Sequence, residues 1–178
     1  HNKNFLIFSN KLNLIDNGLK ISADLSNDNK ICAYVSKKVS SSINFSKINF
    51  YKNLKFWKPL KPKNKTLIIE KNKFYILKSK EKIRIPINLA GEMIPYDTGI
   101  GDFRVHYAGF FDPGFGEPRG SYAVLEIKTN ELPFIIEDGQ TIARIKYEKL
   151  NKKTSVVYGS TIKSNYQNQK LALSKHFK

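Results

Sequence analysis

Glu126 stands in the middle of the run SYAVLEIKTN, where strand alternation turns Ala123, Leu125 and Ile127 one way and Tyr122, Val124, Glu126 and Lys128 the other. A carboxylate beside apolar Val124 in mid-strand is partly withdrawn from water. That raises its pKa and suits it to move a proton near neutral pH. The same pattern also fits an ordinary strand glutamate paired with Lys128 or Arg144. Upstream, in DFRVHYAGFFDPGFG, alternation groups Arg104, His106 and Ala108 on one face and Phe103, Val105 and Tyr107 on the other, core-like face. DPGFG then reads as a tight turn, with Pro113 at the first central position and Gly114 where φ is positive. Such a turn either holds the Asp112 carboxylate rigidly against a ligand or lets it bond its own backbone. The tail VVYGSTIKSNYQNQKLALSKHFK carries tyrosines, a glutamine and lysines. These groups can close over a phosphate-bearing ligand, and the same composition describes a frayed basic terminus.

Other chemistries find no footing. Walker, GxGxxG, GxSxG and HExxH patterns are absent. His1, His106 and His176 are the only histidines and form no cluster in sequence. Cys32 is the single cysteine, which excludes an intramolecular disulfide and a cysteine-based zinc site within the chain.

The elements that must position these residues read as β throughout. GLKISADLS alternates Leu19, Ile21, Ala23 and Leu25 against Lys20, Ser22 and Asp24, and the NDN turn leads into KICAYVS as its antiparallel partner. Residues 36–65 are richer in Ser, Asn, Lys and Pro and read as irregular structure or a short helix, with Trp57 as a packing anchor. From Thr66 short runs follow closely: TLIIE, KFYILKS, EKIRIPI, DFRVHYAGFF, SYAVLEIKT and LPFIIEDGQTIARIKYEKL. That spacing predicts an all-β sandwich or barrel. The expected organisation is one β domain: N-terminal strands and an irregular segment over 1–65, the barrel core with its motifs over 66–150, and a ligand-covering tail over 151–178.

Bulk properties agree with a folded protein. Of 178 residues, 40% are hydrophobic, enough for a real core. No apolar run approaches the ~20 residues of a membrane helix, and HNKNFLIFSN is too short a stretch for a signal peptide. The expectation is a soluble, cytoplasmic protein without a membrane partner. A net charge of +16 invites a polyanion, but the lysines are scattered and form no basic block or basic helix. This favours solvated lysines over a nucleic-acid surface and leaves room for a compact anion. Opening at His1, with Met93 the only methionine, the chain reads as a piece of a longer protein.

Three segments together are more specific than any one motif: AGEMIPYDTGIGDFRVHYAGFFDPGFG, AVLEIKTNELPFIIEDGQTIARIKYE and YGSTIKSNYQNQKLALSKHF. The series resembles the dCTP deaminase and dUTPase superfamily, as the second domain of two-domain bacterial dCTP deaminases. The likeness is strongest over Pro86–Phe177 and weaker from about Leu14. It implies a distorted β-barrel or jelly roll of the dUTPase-like type, and a homotrimer or an assembly with an N-terminal deaminase domain. It also implies a deoxynucleoside triphosphate substrate with Mg²⁺ on the triphosphate, and no zinc. The zinc deaminase signature, H-x-E with P-C-x-x-C, has no counterpart here. By the resemblance Glu126 activates the water that attacks C4 of cytosine, and the Ala108 carbonyl holds that water. Asp112 is the aspartate of the D-P-G turn, and Tyr158, Tyr166 and Gln169 bind the triphosphate. Arg104, His106 and Lys163 are further candidates for supporting or phosphate contacts. The S-S-x-x-R element of single-domain enzymes is replaced by PYDTGIGDFR. Phe110 stands where those enzymes usually carry Arg, and Asn165 where they carry Lys. A complete site is therefore expected to draw on an N-terminal half.

Overall fold

The computed structural model describes residues 18–38, 41–95, 103–106, 109–130, 132–152, 154–160, 166–167 and 170–178, with Pro95 and residues 103–106 by backbone alone. Its elements are β1 (Leu19–Ser22), β2 (Ala33–Ser36), the one-turn helix α1 (Asn53–Phe56), β3 (Trp57–Leu60), β4 (Thr66–Ile69) and β5 (Phe74–Ile83). They continue with β6 (Leu89–Pro95), β7 (Phe103–His106), β8 (Phe110–Phe111), β9 (Ser121–Thr129), β10 (Phe134–Glu137) and β11 (Thr141–Lys149). All named strand pairs are antiparallel, in sheets ordered β1-β11-β6-β8, β10-β4 and β3-β2-β5-β9-β7. They close around one apolar cluster that includes Leu19, Ile21, Leu77, Leu125, Ile127 and Ile145. The fold is an all-β distorted barrel, as the strand spacing predicts.

β9 shows how the sequence makes two faces. Ser121, Ala123, Leu125, Ile127 and Thr129 are buried, while Tyr122, Val124, Glu126 and Lys128 between them are only half-buried. A register slip of one residue would turn Glu126 into the core and Leu125 out, so burial of the apolar set fixes the register.

Four expectations need correction. β2 is not the partner of β1. β1 pairs with β11, and β2 lies between β3 and β5. The physical reason is the length of β5, whose ten residues serve both segments in turn. Ala33–Val35 pair with Tyr75–Leu77, while Ala23 bridges Ser79 and the Asp24 N–H donates to the Lys78 carbonyl. Second, KFYILKS and EKIRIPI are not two strands, because β5 runs continuously from Phe74 to Ile83. A bulge between Lys78 and Lys82 absorbs the break in alternation. There the Ser79 hydroxyl donates to the Glu81 carbonyl (2.7 Å) and accepts the Ala123 N–H (2.8 Å) in place of a ladder bond.

Third, DFRVHYAGFF is not one strand. Its halves, β7 and β8, belong to different sheets, against β9 and β6 respectively. Fourth, β6 was not anticipated. It pairs along seven residues of β11, and Gly91 in its middle obscures the apolar alternation. A Cβ at Gly91 would lie 2.9 Å from the Ile85 methyl and 3.1 Å from an Ile145 methyl, so a side chain there would push both aside.

Candidate active site

The outer face of the five-stranded sheet is where the chemistry gathers. Glu126 sits directly opposite Ile76 of β5 on one side and, by backbone register, opposite His106 of β7 on the other. With Val124 and Phe74 it lines a cavity of about 490 Å³, within the usual range for a small-molecule site. Trp57 packs between Phe74 and Phe177 at centroid distances of 6.2 and 5.9 Å and walls the same cavity. It is the anchor expected, and it is also part of the site.

Asp112 reaches this cavity from the turn after β8. The Phe115 N–H donates to the Asp112 carbonyl (3.0 Å) and Gly114 has φ +94°, the geometry in which glycine is favoured at the second central position. Gly114 is also required by close approach. A Cβ there would stand 2.4 Å from Val157 and 2.9 Å from the Tyr158 carbonyl. The Tyr158 N–H donates to the Pro113 carbonyl (2.9 Å), and the Tyr158 ring lies 5.7 Å from Phe115. Tyr158 is thereby carried into the cavity by the turn that carries Asp112.

The tail completes the enclosure. Tyr166 and the segment Ala172–Ser174 form part of the wall, and the Ser121 hydroxyl donates to the Tyr166 carbonyl (3.4 Å). The chain then docks by a backbone pairing of Tyr51 with Phe177. Around it, the Tyr51 N–H donates to the His176 carbonyl and the Lys178 N–H to the Tyr51 carbonyl, both at 3.0 Å. His176 Nδ1 lies 2.9 Å from the Lys47 carbonyl.

Four of the residues singled out from sequence, Glu126, Asp112, Tyr158 and Tyr166, therefore line one cavity. Arg104 and His106 are placed by backbone only, opposite Lys128 and Glu126. Ala108, Lys163 and Gln169 lie outside the described residues. The sequence reading did not single out three sets of residues: Phe74 and Ile76 of the apolar wall, Ala172–Ser174 within the expected ligand-covering tail, and Gln167 against the Asp112 turn. Phe110, 75% exposed, stands at the cavity edge. Only its place in the motif series drew attention to it.

Chemically, the cavity offers two carboxylates on mostly apolar walls, with tyrosines at one end. Among the described residues no three His, Cys, Asp or Glu side chains converge as a metal cage. Burial pushes the Cys32 thiol up to about 11, so it is no thiolate nucleophile at neutral pH.

The fold has a known counterpart. The family described as 2'-deoxycytidine 5'-triphosphate deaminase (DCD), C-terminal domain, matches residues 1–177. The chain belongs to this family. Among solved structures, the crystal structure of 2'-deoxycytidine 5'-triphosphate deaminase from Agrobacterium tumefaciens is similar, with 40% sequence identity and a TM-score of 0.78. The match covers 86% of this chain and 47% of that one, so the chain spans about half the length of that deaminase. No curated protein matches the chain. Family membership accounts for the antiparallel barrel and for the motif order from AGEMIP to the tail. Among the described residues, no helix is long and apolar enough to cross a membrane.

Proposed function

We propose that this domain supplies the catalytic carboxylate and the pyrimidine cavity for hydrolytic deamination of dCTP to dUTP and ammonia. The observation that carries the reading is the placement of Glu126, half-buried in mid-strand, in one cavity with Asp112, Tyr158 and Tyr166. Glu126 takes a proton from water held by the Ala108 carbonyl, and the oxygen attacks C4 of the cytosine ring. The proton then passes to the amino nitrogen, the C4–N bond breaks and ammonia leaves, while the remaining hydroxyl proton moves to N3 as the ring carbonyl forms. The apolar walls favour a flat base over bulk water. Tyr158, Tyr166 and Gln169 hold the triphosphate, with Lys163, Arg104 and His106 in support and Asp112 fixing the substrate from its turn. Mg²⁺ enters as part of the substrate, bound to the phosphates. The chain assembles as a homotrimer or with an N-terminal deaminase domain, and only the latter brings in the S-S-x-x-R group absent from this sequence.

The test is release of ammonia and dUTP from dCTP, by this chain alone and with the N-terminal half. The expected result is turnover in the presence of both halves, and a loss of roughly 10²–10⁴-fold in Glu126→Gln, the usual contribution of a positioned proton-transfer group. Unchanged turnover in that variant would defeat the mechanism. The 47% span of the related deaminase favours one second reading, a half-domain that completes its partner and binds no nucleotide alone. Calorimetry with dCTP separates the two, since micromolar binding by the isolated chain excludes the second.

A further inference from the structure

Gln167 lies next to Tyr166, and its carboxamide makes three hydrogen bonds to the turn that follows Asp112. The Gly116 N–H donates to Oε1 (3.0 Å), while Nε2 donates to the Gly114 carbonyl (3.2 Å) and the Glu117 carbonyl (3.1 Å). An amide is the one neutral side-chain group that can accept one bond and donate two from a single planar head. On its other flank sits Gly159, with φ +79°. A Cβ there would come within 2.7 Å of Nε2, so glycine leaves the room that the amide occupies.

The turn does not need Gln167 in order to close. Its own bonds run from Phe115 to Asp112 (3.0 Å), from Glu117 to Gly114 (3.1 Å) and from Gly114 to Ile85 (2.9 Å). What the amide adds is a second attachment of the tail to this turn, beside the Tyr158 N–H on the Pro113 carbonyl (2.9 Å). Tyr166 is also held by the Ser121 hydroxyl on its carbonyl (3.4 Å). The two attachments to the turn lie at Tyr158 and just after Tyr166, and both grip the peptide groups that present Asp112.

From this geometry we infer that Gln167 is a positioning residue, which locks the nucleotide-binding tail to the Asp112 turn so that both tyrosines stand at the cavity before substrate arrives. The inference deepens the proposed function and rests on it for its consequence in catalysis. The mechanical coupling stands on the hydrogen bonds alone. Gln167→Ala removes all three bonds. Gln167→Glu keeps the shape and the bond from Gly116, but sets a carboxylate against two carbonyl oxygens.

Two measurements decide it. In whichever preparation deaminates dCTP, both variants should raise KM by about tenfold, as expected for two or three lost bonds, with kcat nearly kept and Gln167→Glu the worse. A role in folding alone would lower the active fraction, and so kcat, at constant KM. Independently of any turnover, cleavage after exposed Lys170 by a lysine-specific protease, followed by mass spectrometry, should run about tenfold faster in both variants. Equal cleavage rates in wild type and variants, or a kcat loss at constant KM, would overturn the inference. A wild type that cleaves slowly and never deaminates would overturn the proposed function and leave the coupling standing.

Discussion

At the scale of single residues, the environment decides which side chains are chemical and which are inert. Glu126 of β9 lines the cavity, while Cys32, just before β2, is 8% exposed and packed in the main core. Burial disfavours the thiolate, and the neighbouring Asp24 and Asp28 charges push the same way, against the pull of a backbone hydrogen bond. With its pKa at about 11, Cys32 should react slowly with iodoacetamide at pH 8, and its rate should climb about tenfold per pH unit until near pH 11. Fast labelling of the folded protein at pH 8 would contradict this. The sign follows from a raised acid pKa, which keeps the neutral form dominant over the whole physiological range. Alternation in the sequence was sufficient to assign the outward face of Glu126. It was silent on which residues of the expected covering tail meet that face, because Ala172–Ser174 lie more than forty positions away and have no pattern of their own. Gln167 was passed over for a related reason. A glutamine that bonds three backbone groups, here of Gly114, Gly116 and Glu117, leaves no trace in composition.

At the scale of elements, strands with clean alternation were legible and strands with a special residue were not. β9 agrees end to end with SYAVLEIKT, because every second residue is apolar or small. β5 was split in two by KSKEK, whose charges suggest a turn but whose Ser79 and Glu81 are buried in a bulge. Glu81 there accepts both the N–H and the hydroxyl of Ser22 on β1, so the polar residues tie two sheets together. β6 was missed through Gly91, which packs where a methyl would displace Ile85 and Ile145. Gly91→Ala should therefore destabilise the domain by about 1–3 kcal/mol, the usual cost of an extra methyl in a filled core. A denaturant melt checks it. A midpoint equal to wild type would show that Ile85 and Ile145 yield without cost. Backbone entropy works against this loss, since alanine costs less than glycine to order in a strand, so any destabilisation measured is steric.

At the scale of the whole molecule, the five-stranded sheet divides the protein into two apolar bodies with different duties. Its inner face belongs to the main core, which holds Leu77, Leu125 and Ile127. On the outer side a separate aromatic group, Tyr51, Phe56, Trp57, Phe74 and Phe177, anchors the C-terminus beside the cavity. Phe177 is its hub, with ring centroids 5.6 Å from Phe56, 5.9 Å from Trp57 and 6.4 Å from Tyr51. Because this group shares no member with the main core except through the sheet itself, it can open without unfolding the barrel. Phe177→Ala removes those three ring contacts and should weaken the docking by about 2 kcal/mol, so that the amides of Tyr51 and Lys178 exchange roughly thirtyfold faster. The amides of β9 and β11 should keep wild-type protection in the same experiment. If protection falls equally everywhere, the tail and barrel form one cooperative unit, and the tail is then a structural strand rather than a local cover. If the loss stays local, adding dCTP to a binding-competent preparation should restore part of the protection, since Trp57 faces the ligand cavity on one side and Phe177 on the other.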